Sequence, residues 1–493
     1  MKRRLGYCSL ALLCSLALSA QSSDESPSLP SALQSISIPH LMADVSHLSG
    51  PDFQGRLTGS REDLQSAQFV AGRFATLGLR QSLHSDPPWM MTTEVPAIQI
   101  ADDPPPEFKI HSIPSGAQAL EVGLDYLPIV DSPSIDVTAP LVFVGYGISD
   151  AAHGWDEYAG VEARNRIVVF LRGKPESYPH PTTHADKIHA ARQHGAAAFL
   201  TFTGPVMSPY EARRGMSHAP LAFYNQVGQE QPFPGAWIHT QVAERLLSPT
   251  TAQMGRSLRE VQQQLQTLTQ QSFETDRQVH LKWDSAQKRG TLNNVLGVFP
   301  GADPSLMDDT VIIGAHRDHF GRQANLIFPG ADDNASGTAV LLEVARLFAT
   351  SGLKPRRSVL FVSFSGEEQG LLGSRLYVSR PQRSLSHTVA MINIDHAGVG
   401  NGRLTVGVTG LDKSLAANAA EHAGLGDRVD LFGFFPGGDH VPFKEAGVPT
   451  VTVVSSGPHA HFHQPSDTSD TVEPEILERT ARYVIALAWQ LAN

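Results

Sequence analysis

The chain has 493 residues, too many for one ordinary hydrophobic core, so two or three domains are expected. Hydrophobic residues make up 41% and charged residues 18%, a balance that fits a soluble globular protein and excludes a disordered one. The formal net charge is −11 and no basic tract stands out, which argues against nucleic acid as a partner.

Lys2, Arg3 and Arg4 precede an apolar run over residues 5–18, closed by Ser19 and Ala20. That order of basic, apolar and small residues reads as a secretory signal peptide over 1–20. The run is shorter than the roughly 20 residues a membrane span needs, so no stable membrane insertion is expected after cleavage. The expected location is the periplasm or the extracellular space. Cys8 and Cys14, the only two cysteines, both fall in this leader. A mature chain would hold no disulfide and no thiolate, which confines metal chemistry to His and carboxylates. It would also lose three basic residues and no acidic ones, for a net charge near −14.

Residues 21–37 are rich in Ser and Pro and read as a flexible lead-in. A first catalytic segment is expected over 38–134. Its opening helix carries Leu41, Val45 and Leu48 on one face, and a loop over 52–60 follows. Ser60 is placed to cap a second helix over 62–77 that Gly78 ends. Residues 135–280 read as an insert, with strands over 141–147, 167–171 and 195–201 and a helix over 187–194. His180, His184, His189 and His194 are spaced irregularly there and no carboxylate motif joins them, so they are not read as ligands. A Gln-rich helix is expected over 256–271.

From 281 to 493 the pattern becomes strand–loop–helix. Strands are expected over 293–301, 311–313, 358–363, 389–394 and 448–454, with helices over 338–349 and 474–491. Polar residues at the strand ends predict an α/β fold with a doubly wound, mainly parallel sheet. Five potential ligands stand at five of those ends: His316, Asp333, Glu368, Asp395 and His463. Two imidazoles and three carboxylates suit a pair of zinc-type ions sharing one carboxylate. Glu367 and Glu368 are adjacent, which is costly without a cation; one can ligate while its neighbour faces a bound water as general base. Asp318, two residues after His316, suits a carboxylate that fixes the imidazole tautomer. Asp332 reads as a brace for Asp333 or a cap for the helix behind it. The loop over 433–439, with Phe434 and Phe435, and Phe462 beside His463 are candidates for an apolar pocket near the metals.

The runs GAHRDH (314–319), GADDNASG (330–337), GEEQGLLGS (366–374) and HQPSDT (463–468) resemble the M28 family of co-catalytic zinc exopeptidases. GRLTGS (55–60) and NVLGVFPG (294–301) extend the similarity. Residues 140–240, with VFVGYG (142–147) and GWDEY (154–158), resemble the protease-associated (PA) domain inserted in members of that family. The resemblance implies a zinc exopeptidase fold split by the insert, two Zn²⁺ per chain, peptide substrates and removal of N-terminal residues. It implies His316 on one metal, Asp333 bridging, Glu368 and Asp395 as ligands, and His463 completing the second metal. Glu367 then falls in the position of the general base and Asp318 in that of the carboxylate supporting His316. Arg317 stands where an aromatic is common and His396 where an apolar residue is usual, which bears on specificity. His459 and His461 are read as loop histidines. A carboxypeptidase or dipeptidase of the same fold, and a non-catalytic receptor-like homologue, remain the alternatives.

Overall fold

The computed structural model describes residues 28–81, 87–112, 116–208, 211, 216–225, 232–267 and 271–493. The expected leader over 1–20 lies outside the described residues. The expected flexible lead-in is corrected in part. Leu29–Gln34 is a helix whose Leu29, Ala32 and Leu33 are buried, and the Arg482 guanidinium holds the Leu33 carbonyl. Three apolar residues inside a Ser/Pro-rich stretch are enough to dock it on the core.

Two sheets organise the chain. The first has nine strands, and its centre is four parallel neighbours: Ser358–Phe364, Thr310–His316, Thr388–Ile394 and Thr450–Ser455. These strands are buried along nearly their whole length, as their unbroken apolar runs require. Antiparallel strands flank them, with Ser285–Phe299 on one side and Leu404–Thr409 on the other. The sheet is therefore mixed at its margins and parallel where the site forms. Helices Ile38–Leu48, Arg61–Thr76, Gly337–Thr350 and Pro474–Ala492 bury their apolar faces in one large core. Capping is as the sequence predicts for Arg61–Thr76, where the Ser60 hydroxyl accepts the N–H of Asp63.

The second sheet has eight strands, running in space from Gly116–Ala119 to Tyr126–Pro128. Its strands come from as early as Glu107–Ser112 and as late as Phe273–Trp283. The inserted unit thus begins well before residue 135, the expected boundary. The helix expected over 256–271 is Leu258–Leu265, with a further helix, Thr240–Gln253, before it. Of the four insert histidines, His184 is half-buried among the rings of Phe170, Phe199, Phe223 and Trp237, an apolar setting. Among the described residues, no helix is long and apolar enough to cross a membrane.

Arg317 has a structural position that the sequence reading did not assign to it. Its guanidinium is fully buried and meets Asp63, also fully buried, at 2.7 Å. It also donates to Ser66 Oγ at 3.0 Å and to the carbonyls of Ser363 and Phe364 at 3.2 and 3.1 Å. One side chain thus ties helix Arg61–Thr76 to the two strands that carry His316 and the paired glutamates. Removing one partner strands the other charge in the core, so Asp63→Ala should cost about 3–5 kcal/mol of stability. Urea unfolding of the variant and the unaltered protein measures this; a loss below about 1 kcal/mol, the range of an exposed pair, would contradict it.

Candidate metal centre

The four parallel strands end along one edge, where ligands collect in doubly wound folds. His316 closes its own strand, and Asp395 directly follows Ile394. Glu367 and Glu368 lie in the turn just past Phe364, and His463 in the loop past Ser455. Asp333 sits in the turn that opens helix Gly337–Thr350.

That turn is built for its place. Gly330 has φ +59°, and a Cβ there would lie 2.2 Å from the Asp333 carbonyl oxygen and 2.6 Å from the His319 ring, so only glycine fits. The Asp467 carboxylate accepts the N–H groups of Asp332 and Asp333 at 2.9 and 3.1 Å, one on each oxygen. Asn334 donates to the Ile394 carbonyl at 3.0 Å and accepts from the Gly337 N–H at 2.9 Å, which stitches the turn to the Asp395 strand. Arg56, fully buried, donates to the carbonyls of Leu48, Pro329 and Gly330 at 2.6, 2.7 and 2.8 Å, and to that of Arg317. A single guanidinium therefore gathers the loop after His316, the turn before Asp333 and the end of helix Ile38–Leu48.

The five expected ligands come together in two sets. His316 Nε2 is 3.3 Å from Asp333 Oδ1 and 3.3 Å from Asp395 Oδ1. His463 Nε2 is 3.2 Å from Asp333 Oδ2 and 3.6 Å from Glu368 Oε2. Each oxygen of Asp333 faces a different set, the arrangement a bridging carboxylate needs. Each set offers one imidazole and two carboxylates, the ligand types of zinc.

Every ring is oriented from behind. His316 Nδ1 faces the backbone carbonyl of Asp318 at 3.2 Å and its carboxylate only at 3.7 Å. The Asp318 carboxylate instead accepts the N–H groups of Glu367 and Glu368 at 3.2 and 3.4 Å and the Thr58 hydroxyl at 3.0 Å. Asp318 thus grips the glutamate turn with its side chain and steers His316 with its main chain. His463 donates from Nδ1 to the carbonyl of Ala222 at 2.9 Å, and Ala222 returns its N–H to the His463 carbonyl at 3.0 Å. Ala222 belongs to the insert. Nearby, Gln369 donates to the Tyr224 hydroxyl at 3.2 Å, and Tyr224 stacks on Phe320. The insert, in which no ligand was read from sequence, therefore meets the site through Ala222 and Tyr224.

His319 was not read as part of the site. Its Nδ1 lies 2.7 Å from Glu368 Oε1, and burial lowers its pKa well below the usual imidazole range. It is a neutral donor that aims Glu368. The signal was present in HRDH, a second histidine in the same short run as His316 and Asp318. The aromatic candidates divide. Phe462 stacks on His463 with ring centroids 3.6 Å apart, whereas Phe434 is 46% exposed and lies under the Lys444 ammonium, 4.3 Å from its ring centroid.

The site is rich in buried carboxyl groups. Asp63, Asp318, Asp332, Asp333, Asp439 and Asp467 are all buried, against two buried guanidiniums, Arg56 and Arg317. Burial opposes charge on Asp333, but the His396 charge and the hydrogen bonds of His316 and His463 outweigh it and hold its pKa well below the carboxylate range. Burial also opposes charge on His316; Asp395, Asp318 and Asp333 overcome it and raise that pKa well above the usual value. Glu367 is the opposite case. Burial, helped by Asp395, Asp439 and Asp333, pushes its carboxyl well above the usual range. Such a group takes up a proton readily. Cations seated between the two sets are what this surplus of carboxylates calls for.

Comparison with known proteins finds similarity to peptidases. Residues 294–488 match the model of peptidase family M28. A probable leucine aminopeptidase of Arthroderma otae is 28% identical over 213 residues, 40% of this chain and 57% of that protein. Aminopeptidase YwaD of Bacillus subtilis is 30% identical over 197 residues, 37% of this chain and 41% of that protein. The matched region thus spans about half the length of these relatives. In fold, an aminopeptidase from Aneurinibacillus sp. strain AM-1 superposes with a TM-score of 0.67 at 23% identity, covering 94% of this chain and 96% of that one.

Proposed function

We propose that this chain, whose residues 294–488 form a peptidase family M28 domain, is an exported dizinc aminopeptidase that removes N-terminal residues from peptides. The observation that carries the reading is the division of Asp333, one oxygen toward His316 and Asp395 and the other toward His463 and Glu368. His316, Asp333 and Asp395 would hold one zinc and Asp333, Glu368 and His463 the other. Bound there, the ions supply Lewis acidity toward the scissile carbonyl and lower the pKa of a water to about 7.

The chain's own part is positioning and proton transfer. Glu367, held by its N–H on Asp318 and raised in pKa by burial and neighbouring carboxylates, takes the proton of the attacking water and returns it to the leaving amine. Asp318 and His319 keep Glu367 and Glu368 apart in role, one facing substrate and the other the metal. The buried carboxylates favour a protonated substrate amine over a free carboxylate, which supports the amino-terminal direction. The names of the Arthroderma and Bacillus relatives support the same direction. Export rests on the leader read over residues 1–20, and assignment of the insert as a PA domain on the two motifs quoted above.

The full-length chain should hydrolyse leucine p-nitroanilide, lose that activity to a chelator and regain it with added zinc. Activity that chelation leaves untouched would defeat the reading.

A further inference from the structure

Beside the two ligand sets lies a third group, Asp332, His396 and His459, whose ligand atoms all fall within 4.8 Å of one another. Asp332 Oδ1 is occupied, accepting the N–H of Gly398 at 3.0 Å. His459 Nε2 is also occupied, 3.1 Å from the Ser455 carbonyl, which can only accept. The proton of a neutral His459 ring therefore sits on Nε2, and its Nδ1 carries a lone pair. That lone pair faces Asp332 Oδ2 at 2.5 Å. Two acceptors at this separation repel unless something positive lies between them or beside both.

His396 brings its Nδ1 to the same oxygen, at 3.4 Å. Its other nitrogen faces Asp333 Oδ2 at 3.5 Å, so the ring stands between this group and the bridging carboxylate. A ligating histidine characteristically gives its remote N–H to a carbonyl, as His459 does to Ser455 and His463 does to Ala222. The adjoining cleft, lined by Asp332, His396, His459, His461, Phe462 and Asp467, has room for a water-sized sphere, about 10 Å³. A fourth ligand from solvent therefore has a place.

We propose that Asp332 Oδ2, His396 Nδ1 and His459 Nδ1 form a third zinc-class site, separate from the pair that shares Asp333. Two imidazoles and a carboxylate with one open position suit a borderline divalent ion of the zinc type better than Ca²⁺ or Mg²⁺, which prefer oxygen. None of these three side chains is needed as a ligand by the proposed peptidase chemistry, so the two ideas fail separately.

The test is metal content of the full-length protein after zinc saturation and removal of free metal, in the unaltered chain, His459→Phe and Asp333→Ala. The proposal expects three zinc ions in the unaltered chain, two in His459→Phe with leucine anilide hydrolysis kept, and one in Asp333→Ala. Two ions in both the unaltered chain and His459→Phe would overturn the third site, a proton on His459 Nδ1 then replacing the metal, and would leave the dizinc reading standing. An ion lost with His459→Phe but none lost with Asp333→Ala would keep the third site and overturn the dizinc reading. If His459→Phe fails to fold, anomalous diffraction from zinc-soaked crystals of the unaltered protein decides: a peak between the two Nδ1 atoms and Oδ2 supports the site, and its absence at full occupancy of the other two overturns it.

Discussion

Replacing Asp333 with alanine should remove peptidase activity and weaken zinc at both positions of the pair together. Its two oxygens serve opposite sets, so its loss takes a ligand from both positions at once. Loss of Lewis acidity is worth several kcal/mol of transition-state stabilisation, which converts to a fall in kcat/KM of roughly 10³-fold or more. Asp395→Ala makes the useful contrast, because Asp395 approaches only His316 in the first set. It should weaken one ion and leave the His463 position filled. Equal retention of both ions in Asp333→Ala would remove the bridge from the account.

Glu367→Gln should do the reverse. The amide is nearly isosteric and keeps the turn on Asp318 through the backbone N–H. Both zinc ions should remain while kcat falls by about 10²–10⁴-fold, the range for loss of a positioned acid–base group. Glu368→Gln should instead cost metal affinity, since Glu368 Oε2 faces His463 while Oε1 is held by His319. Metal analysis beside steady-state kinetics separates the two. If Glu367→Gln sheds metal and Glu368→Gln only slows turnover, the roles of ligand and base are exchanged.

What the sequence made legible was the part written in local patterns. Buried apolar runs of five to seven residues marked Ile167–Leu171, Thr310–His316, Ser358–Phe364 and Thr388–Ile394 within a residue or three of where they form. Polar residues at the ends of the last three marked His316, Glu368 and Asp395. Shorter elements with mixed burial escaped, such as Leu404–Thr409, interrupted by Gly407, and the half-buried Val429–Phe432. The residues that hold the ligands were less visible, because their partners are far away in sequence. Arg56 reaches carbonyls near 317 and 330, and Ala222 meets His463 from 241 residues away. A backbone carbonyl that orients a ligand has no side-chain signature at all. His459 illustrates a further limit: as one of three histidines in HAHFH, nothing local distinguishes it, and only the fold brings it to Asp332. Arg317 was visible as a departure from the family pattern, but its consequence was misplaced. It serves the joint between a helix and two strands.

The coupling of the insert to His463 changes what that unit is expected to do. It supplies the carbonyl behind His463, a proposed metal ligand, and packs Tyr224 over Phe320.

The measurement that bears most directly on the central claim compares leucine p-nitroanilide with its N-acetylated form on the zinc-loaded full-length chain. Acetylation removes the cation that the proposed function has the carboxylate-rich site receive and leaves the scissile bond unchanged. The account predicts a loss in kcat/KM of about 10²-fold or more on acetylation, the scale of an unpaired buried charge. Equal rates on the two substrates, or turnover only of peptides with a free carboxyl terminus and a blocked amine, would contradict it.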